Sequence, residues 1–345
     1  MPIAAWRAAC IQMQSRLATR GETPTEAWTI IDANVARAVA LIDAACASEA
    51  APKLVVLPEF AFQGPPHGED VEHWIAKACD TIPGRATAPL QAAARRHGIF
   101  VAGNMFEVDP IWPGRFFNSC FLIDPSGAVI LRFRRINTAL WPSPHDFMDE
   151  YFGTLGPDGT FPVVDTELGR LGMIACGEIA VPEVARMLMM RGAEVILHPT
   201  NEEFSPGQEA AKVARAAENM VYIVSANVAG GIGFSADGSV LGGRSHIIDF
   251  RGRTLAFEPG SAETTSCAAM IDIDALRAGR NDTGMGNALL RGRWDMYRSQ
   301  LGTVSIYPPN QFLREPMTHS GQTGPLAATA LANLHRAGIV VPHDR

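Results

Sequence analysis

Lys53-Leu54-Val55-Val56-Leu57-Pro58-Glu59 decides the fold class. The apolar run is too short for a helix and proline stops it, so it reads as a strand buried on both faces that ends at Glu59. Working outward, residues 26–48 place Ala27, Ile30, Ile31, Val35, Ala38, Val39 and Ile42 at helical spacing and predict a long amphipathic helix before that strand. The pairing of helix and strand then recurs. Ala88–His97 precedes 99–102, 182–191 precedes 194–197, and Pro206–Asn219 precedes 221–226. Alternation of this kind means α/β, with strands buried under helices. Two other stretches read as hairpins, 117–124 with 129–134 about Pro125-Ser126-Gly127, and 246–250 with 253–257 about Arg251-Gly252. Hairpins inside an alternating chain predict mixed sheets. Past Leu301 the texture changes to Pro308, Pro309 and Pro316, then 321–325 and a helix-like stretch at 326–337, which predicts a C-terminal arm (301–345) on a main domain (1–300).

Composition narrows the function. With 345 residues, 47% hydrophobic and 19% charged, the chain can bury a large core. A formal charge of -7 and a pI near 5.7 disfavour nucleic acid or an anionic membrane as partner, since both attract a basic excess. No signal-like leader or membrane-length apolar stretch is present, which predicts a cytoplasmic protein. The six cysteines (Cys10, Cys46, Cys79, Cys120, Cys176, Cys267) show no paired spacing and suit reduced thiols. Histidines at metal-site spacing, a phosphate loop, a dinucleotide fingerprint and a G-x-S-x-G elbow are all missing; Gly243-Arg244-Ser245 lacks the second glycine.

Four strand ends carry candidate chemistry. Gly172-Met173-Ile174-Ala175-Cys176-Gly177-Glu178 ends an apolar stretch on a thiol, which is either a nucleophile offered to a pocket or a buried space-filler. Glu59 is either a partly desolvated general base or a solvated residue opening a loop. Glu107 precedes a loop and has an exposed or salt-bridged role as its plain alternative. Arg134 and Arg135 end another strand, and because adjacent strand residues face opposite ways, at most one of them points into a given pocket.

Taken along the chain, a glutamate at a strand end (Glu59), a basic strand end (Arg134-Arg135) and a cysteine at a strand end (Cys176) follow one another, and in that order they resemble the nitrilase superfamily of carbon-nitrogen hydrolases, in its amidase-like branch. The matching runs are Leu54–Glu59, Phe117-Asn118-Ser119, Arg132–Asn137, Leu171–Cys176 with Pro182-Glu183, Arg191–Ile196, Arg215–Asn219 and Gly243–Asp249, and they extend through residues 5–275. The resemblance implies an αββα sandwich, subunits paired helix on helix as a homodimer or larger homo-oligomer, and no cofactor or metal. It implies Glu59 as general base, Cys176 as nucleophile, Glu107 as a second glutamate that positions substrate, and a Gly177 amide in the oxyanion hole. Arg135 stands where the family has its catalytic lysine, and no realignment supplies one, since the lysines are Lys53, Lys77 and Lys212. Arginine can stabilise an oxyanion but cannot shuttle a proton. The loop 141–152, with His145, and the run His198-Pro199-Thr200-Asn201-Glu202-Glu203 should wall a pocket for a small polar amide. Glu178 is shared with the Cys-Trp-Glu of true nitrilases, yet the Trp is missing, which ranks amide above nitrile as substrate. A silent ligand-binding protein and an acyl transferase remain the alternatives.

Overall fold

The computed structural model describes residues 2–47, 50–138, 140–202, 205–230 and 242–343. In chain order the strands are β1 (Trp6–Cys10), β2 (Leu54–Val56), β3 (Phe100–Glu107), β4 (Phe117–Ile123), β5 (Val129–Arg134), β6 (Val163–Thr166), β7 (Gly169–Met173), β8 (Val195–Thr200), β9 (Tyr222–Asn227), β10 (His246–Ile248), β11 (Thr254–Phe257) and β12 (Ala268–Ile271). They form two six-stranded sheets, ordered β12-β1-β2-β3-β4-β5 and β11-β10-β9-β8-β7-β6. In each sheet the parallel centre, β1-β2-β3 or β7-β8-β9, is flanked by antiparallel partners. That mixture follows from the connections. Helical crossovers force parallel neighbours, whereas the short turns at 125–127 and 251–252 give the antiparallel pairs β4–β5 and β10–β11.

Helices α1 (Pro24–Cys46), α2 (Val71–Ala78) and α3 (Ala88–His97) cover the first sheet, and α4 (Met148–Thr160) lies beyond its β5 edge. Helices α5 (Pro182–Met190) and α6 (Pro206–Asn219) cover the second. The chain then ends through α7 (Ile273–Asn281), α8 (Trp294–Leu301) and α9 (Thr323–Arg336). The result is an αββα sandwich. Alternation sorts each strand of the first sheet: Ala102, Cys120, Leu122 and Phe133 face the second sheet, while Val101, Met105, Phe121 and Ile123 face the helices. Helix α1 begins on a capping box, Thr23 accepting from the Glu26 amide while Glu26 accepts from the Thr23 amide. The end expected at Ser48 lies outside the described residues.

Three elements depart from the sequence reading. Strand β3 runs on to Glu107 because β4 pairs with it throughout, Glu107 opposite Phe117. The segment 148–152, read as loop, opens α4, a helix hidden by Gly153, Gly156, Pro157 and Gly159 and broken at Gly156 (φ 63°). Strand β8 continues through Pro199 to Thr200, which carries the run after it into the site. Among the described residues no helix is long and apolar enough to cross a membrane.

Candidate active site

The carboxyl ends of β2 and β8 meet across the sandwich, where the Glu59 amide donates to the Thr200 carbonyl at 3.3 Å. Glu59 is fully buried. Its Oε1 accepts from Asn118 Nδ2 (2.7 Å) and Arg135 Nη1 (3.2 Å), while its Oε2 has no hydrogen-bond partner. A relay of amides sets the carboxylate: Asn104 Oδ1 accepts from the Phe60 amide (3.3 Å), and Asn104 Nδ2 donates to Asn118 Oδ1 (2.5 Å). Asn104 and Asn118 interrupt otherwise apolar inward faces of β3 and β4. That interruption was the signal by which the sequence could have marked Asn104.

Strand β7 hands the chain to a 3-10 turn at Cys176–Ala180, and Cys176 itself takes φ 44°, a left-handed conformation that costs a non-glycine residue about 1–3 kcal/mol. The surroundings hold it there. His198 Nε2 meets the Cys176 carbonyl at 2.8 Å, and since a carbonyl only accepts, this nitrogen carries the proton and Nδ1 accepts from Ser225 Oγ (2.9 Å). Burial pushes the His198 pKa down to about 4, so the ring is neutral at pH 7. Cys176 Sγ lies 3.6 Å from the Asn201 carbonyl. Burial first, and then the Glu59 charge, pushes the thiol well above its ordinary pKa. Burial likewise raises Glu59, against the opposing effects of Arg135, the thiol and Asn118. At neutral pH the thiol is therefore protonated, and it lies beside a buried carboxyl group whose Oε2 has no hydrogen-bond partner.

Arg135 follows the last residue of β5, and its amide continues the ladder to the Asn118 carbonyl (2.9 Å). Its side chain spans the site. Nε donates to the Asn137 carbonyl (3.0 Å), Nη1 to Glu59, and Nη2 lies 3.3 Å from where a Cβ on Gly177 would stand, with Gln208 Nε2 4.0 Å from the same point. A side chain at 177 would crowd the guanidinium. Burial works against the Arg135 charge, but Glu59, Cys176 and Glu178 outweigh it and its pKa is raised, so it is a fixed cation. Glu178 is buried and braces this loop: Oε1 accepts from the Ile136 amide (2.9 Å), the Asn137 amide (2.8 Å) and Asn137 Nδ2 (3.0 Å).

Several buried polar atoms without a hydrogen-bond partner gather here: Glu59 Oε2, Glu178 Oε2, Thr200 Oγ1, Asn201 Nδ2 and Glu202 Oε1. Orphaned polar atoms are uncommon in folded interiors, and their concentration marks a place for polar ligand atoms or water. Glu202 Oε2 in turn pairs with buried Lys212 (2.6 Å). Glu203 lies outside the described residues.

The structure does not bring Glu107 to this cluster. It lies three residues from Asn104 on β3, hence on the opposite face, where Oε2 accepts from Ser119 Oγ (2.6 Å) and Arg134 Nε (2.9 Å) and Oε1 from Arg134 Nη2 (2.8 Å) and Arg132 Nη1 (2.9 Å). Glu107 is thus a buried ion-pair brace between strands. Arg134 and Arg135 divide as alternation requires, one to Glu107 and the other to Glu59. His145 is half-buried in a 3-10 turn at Pro144–Phe147 and lines a chamber together with Arg135.

The carbon-nitrogen hydrolase family model matches residues 7–281, a span that contains every residue of this cluster. The chain belongs to the carbon-nitrogen hydrolase family. Among its relatives, an (R)-stereoselective amidase from Pseudomonas sp is 32% identical over 69% of this chain and 79% of that protein. Omega-amidase NIT2 from Homo sapiens is 27% identical over 70% of this chain and 83% of its own length. A carbon-nitrogen hydrolase from Helicobacter pylori G27 superimposes with a TM-score of 0.63 at 20% identity, covering 86% of this chain and 98% of that one, and so shares the fold. As a member of the nitrilase superfamily in its amidase-like branch, this carbon-nitrogen hydrolase has a hydrolase or amidase-like function.

Proposed function

We propose that the protein hydrolyses a small polar amide through a thioester on Cys176. The observation that carries this reading is the free, buried Oε2 of Glu59 beside a protonated thiol, with a fixed cation on the other oxygen. As Sγ attacks the amide carbon, its proton passes to Glu59, and the carbonyl oxygen becomes an oxyanion facing Arg135 Nη2 and the Gly177 amide. Glu59 returns the proton to the departing nitrogen, the carbon-nitrogen bond breaks, and ammonia or an amine leaves. Water then attacks the thioester while Glu59 takes its proton. The acid departs and the thiol is restored. Arg135 does not titrate in this cycle, so every proton transfer runs through Glu59. Glu178, Thr200 and Asn201 shape the site, the first by bracing the Arg135 loop and the last with a free amide donor. The six cysteines are free, in keeping with a cytoplasmic protein, and the same reading takes it as a homodimer or larger homo-oligomer, which light scattering on the eluted protein would count.

Intact-protein mass spectrometry with a panel of amides tests the mechanism. An acyl adduct on Cys176 that disappears in water is the expected result. An adduct discharged only by an added amine would make the protein a transferase, and no adduct with any amide or nitrile would leave a ligand-binding protein.

A further inference from the structure

A cavity of about 390 Å³ adjoins the cluster at Arg135, and its walls come from two parts of the chain. The loop after β5 contributes Arg135, Trp141 and His145, and the C-terminal arm contributes Tyr307, Met317 and Thr323. The arm lies beyond residue 281, where the family match ends. It is anchored to its own chain by backbone bonds from Asn310 to the His145 carbonyl (3.0 Å), from Phe312 to the Asp146 carbonyl (2.9 Å), and from Val71 to the Thr318 carbonyl (2.8 Å). Arg115 Nη2 adds bonds to the Phe312 (2.7 Å) and Leu313 (3.2 Å) carbonyls. Met317 is buried in the core beneath. These bonds hold Tyr307 against His145, ring centroids 5.9 Å apart, on a wall the family domain does not supply.

The chemistry of the walls defines the occupant. Flat rings from Trp141, His145 and Tyr307 combine with the Met317 thioether, and the charged groups are already engaged, Arg135 with Glu59 and Asp146 Oδ2 with the Ser143 amide (2.8 Å). Burial keeps the pKa of His145 below its ordinary value, so its ring is neutral at pH 7. Asn137, Thr138 and Ser143 make much of the remaining wall polar, and it is its neutral aromatic part that favours a neutral flat group. The chamber meets the cluster at Arg135, and Cys176 is not among its lining residues, so what it holds is a part of the substrate remote from the scissile bond. We propose that the arm completes a specificity pocket in which Tyr307, opposite Trp141 and His145, packs on an aromatic substituent of the amide substrate. This rests on the amidase reading above.

Phenylacetamide and acetamide are the probes. Tyr307→Ala should lower the ratio of their kcat/KM values by about tenfold or more, since losing apolar contact in a specificity pocket costs that much, whereas Tyr307→Phe should keep the ratio. An unchanged ratio in Tyr307→Ala, or an equal loss in Tyr307→Phe, overturns the proposal. Calorimetry on Cys176→Ala protein separates the pocket from the chemistry. There phenylacetamide should bind at least about tenfold tighter than acetamide, with the advantage lost when Tyr307→Ala is added. If no amide acylates the unmodified protein, the amidase reading fails while calorimetry still decides the pocket. If phenylacetamide binds no tighter than acetamide, the pocket assignment fails whatever the enzyme hydrolyses.

Discussion

Replacing Arg135 by lysine and by alanine separates the two duties of its guanidinium. The side chain holds three places at once: the Asn137 carbonyl at 3.0 Å, Glu59 Oε1 at 3.2 Å and the space over Gly177. A lysine has one nitrogen and can keep the ion pair only by giving up the other two. Arg135→Lys therefore retains the charge beside Glu59 but loses the donor aimed at the oxyanion, and removing one such donor costs about 2.7–4 kcal/mol, or roughly 10²–10³ in kcat. Arg135→Ala loses the charge as well. Two unit charges 3.2 Å apart interact by about 5 kcal/mol at an effective dielectric of about 20, an upper bound on the effect. An opposite charge at such range commonly lowers a carboxyl pKa by about 1–3 units. Glu59 is already raised by burial, so removing Arg135 raises it further, and the acid limb of the acylation rate should move to higher pH by that amount. In Arg135→Lys the limb should stay in place while the plateau falls. The assay is the rate of adduct formation on Cys176 against pH, read by intact mass. A plateau for Arg135→Lys within about threefold of the unmodified enzyme would sink the oxyanion assignment.

Other variants test the remaining placements. Cys176→Ala should abolish turnover and adduct while leaving the melting temperature within a few degrees, because alanine keeps the backbone carbonyl that His198 holds; residual hydrolysis would remove the thiol from the mechanism. Glu59→Gln should abolish turnover yet raise the melting temperature at pH 7. The sign follows from linkage: a carboxyl whose folded pKa lies above its unfolded value binds more protons when folded, so stability falls as pH rises through that window and a neutral amide escapes the loss. A lower melting temperature for Glu59→Gln, by scanning calorimetry, would show that its bonds to Arg135 and Asn118 outweigh its burial. Glu107→Ala removes one of the two carboxylates paired with buried Arg134, Asp109 Oδ2 remaining at 2.6 Å, and should destabilise the fold in denaturant titration by less than the about 3–5 kcal/mol of a buried charge left wholly unpaired. The kcat of the folded Glu107→Ala fraction should change little, and a selective loss of kcat would return Glu107 to the catalytic cluster.

Much of this architecture was legible because it rests on local pattern. The apolar run before Glu59, the helix-strand pairs and the two hairpins follow from periodicity and turn chemistry, and alternation alone stated that Arg134 and Arg135 part company. The same rule held the placement of Glu107, but only once β3 is carried past residue 102 to its pairing with Phe117, and that extension depends on β4. The amide relay from Phe60 through Asn104 to Asn118, and the Glu178 brace under Ile136 and Asn137, join residues from separate strands and loops. No periodicity encodes such contacts. Helix α4 was lost to its own glycines and proline, which argue for loop by composition while its first turn packs Tyr151 against Trp112.

The brace also explains how arginine serves in this site. Glu178 takes the Ile136 and Asn137 amides onto one oxygen and so fixes the loop whose Asn137 carbonyl receives Arg135 Nε. With Nε and Nη1 both held, the planar head has little freedom left, and Nη2 stays over Gly177. Charge balance then makes a titrating lysine unnecessary. In the proposed cycle Glu59 acts as an ionised base beside Arg135; as the thiol proton moves to Glu59, that carboxyl becomes neutral and an oxyanion appears beside Nη2. The cation exchanges one anion for another without moving or losing a proton, and the surrounding protein needs no reorganisation at the moment of reaction. On this account the reaction has a single acid limb, set by Glu59, and no group in the Arg135 position titrates at alkaline pH. A second ionisation that vanished in Arg135→Ala would contradict it.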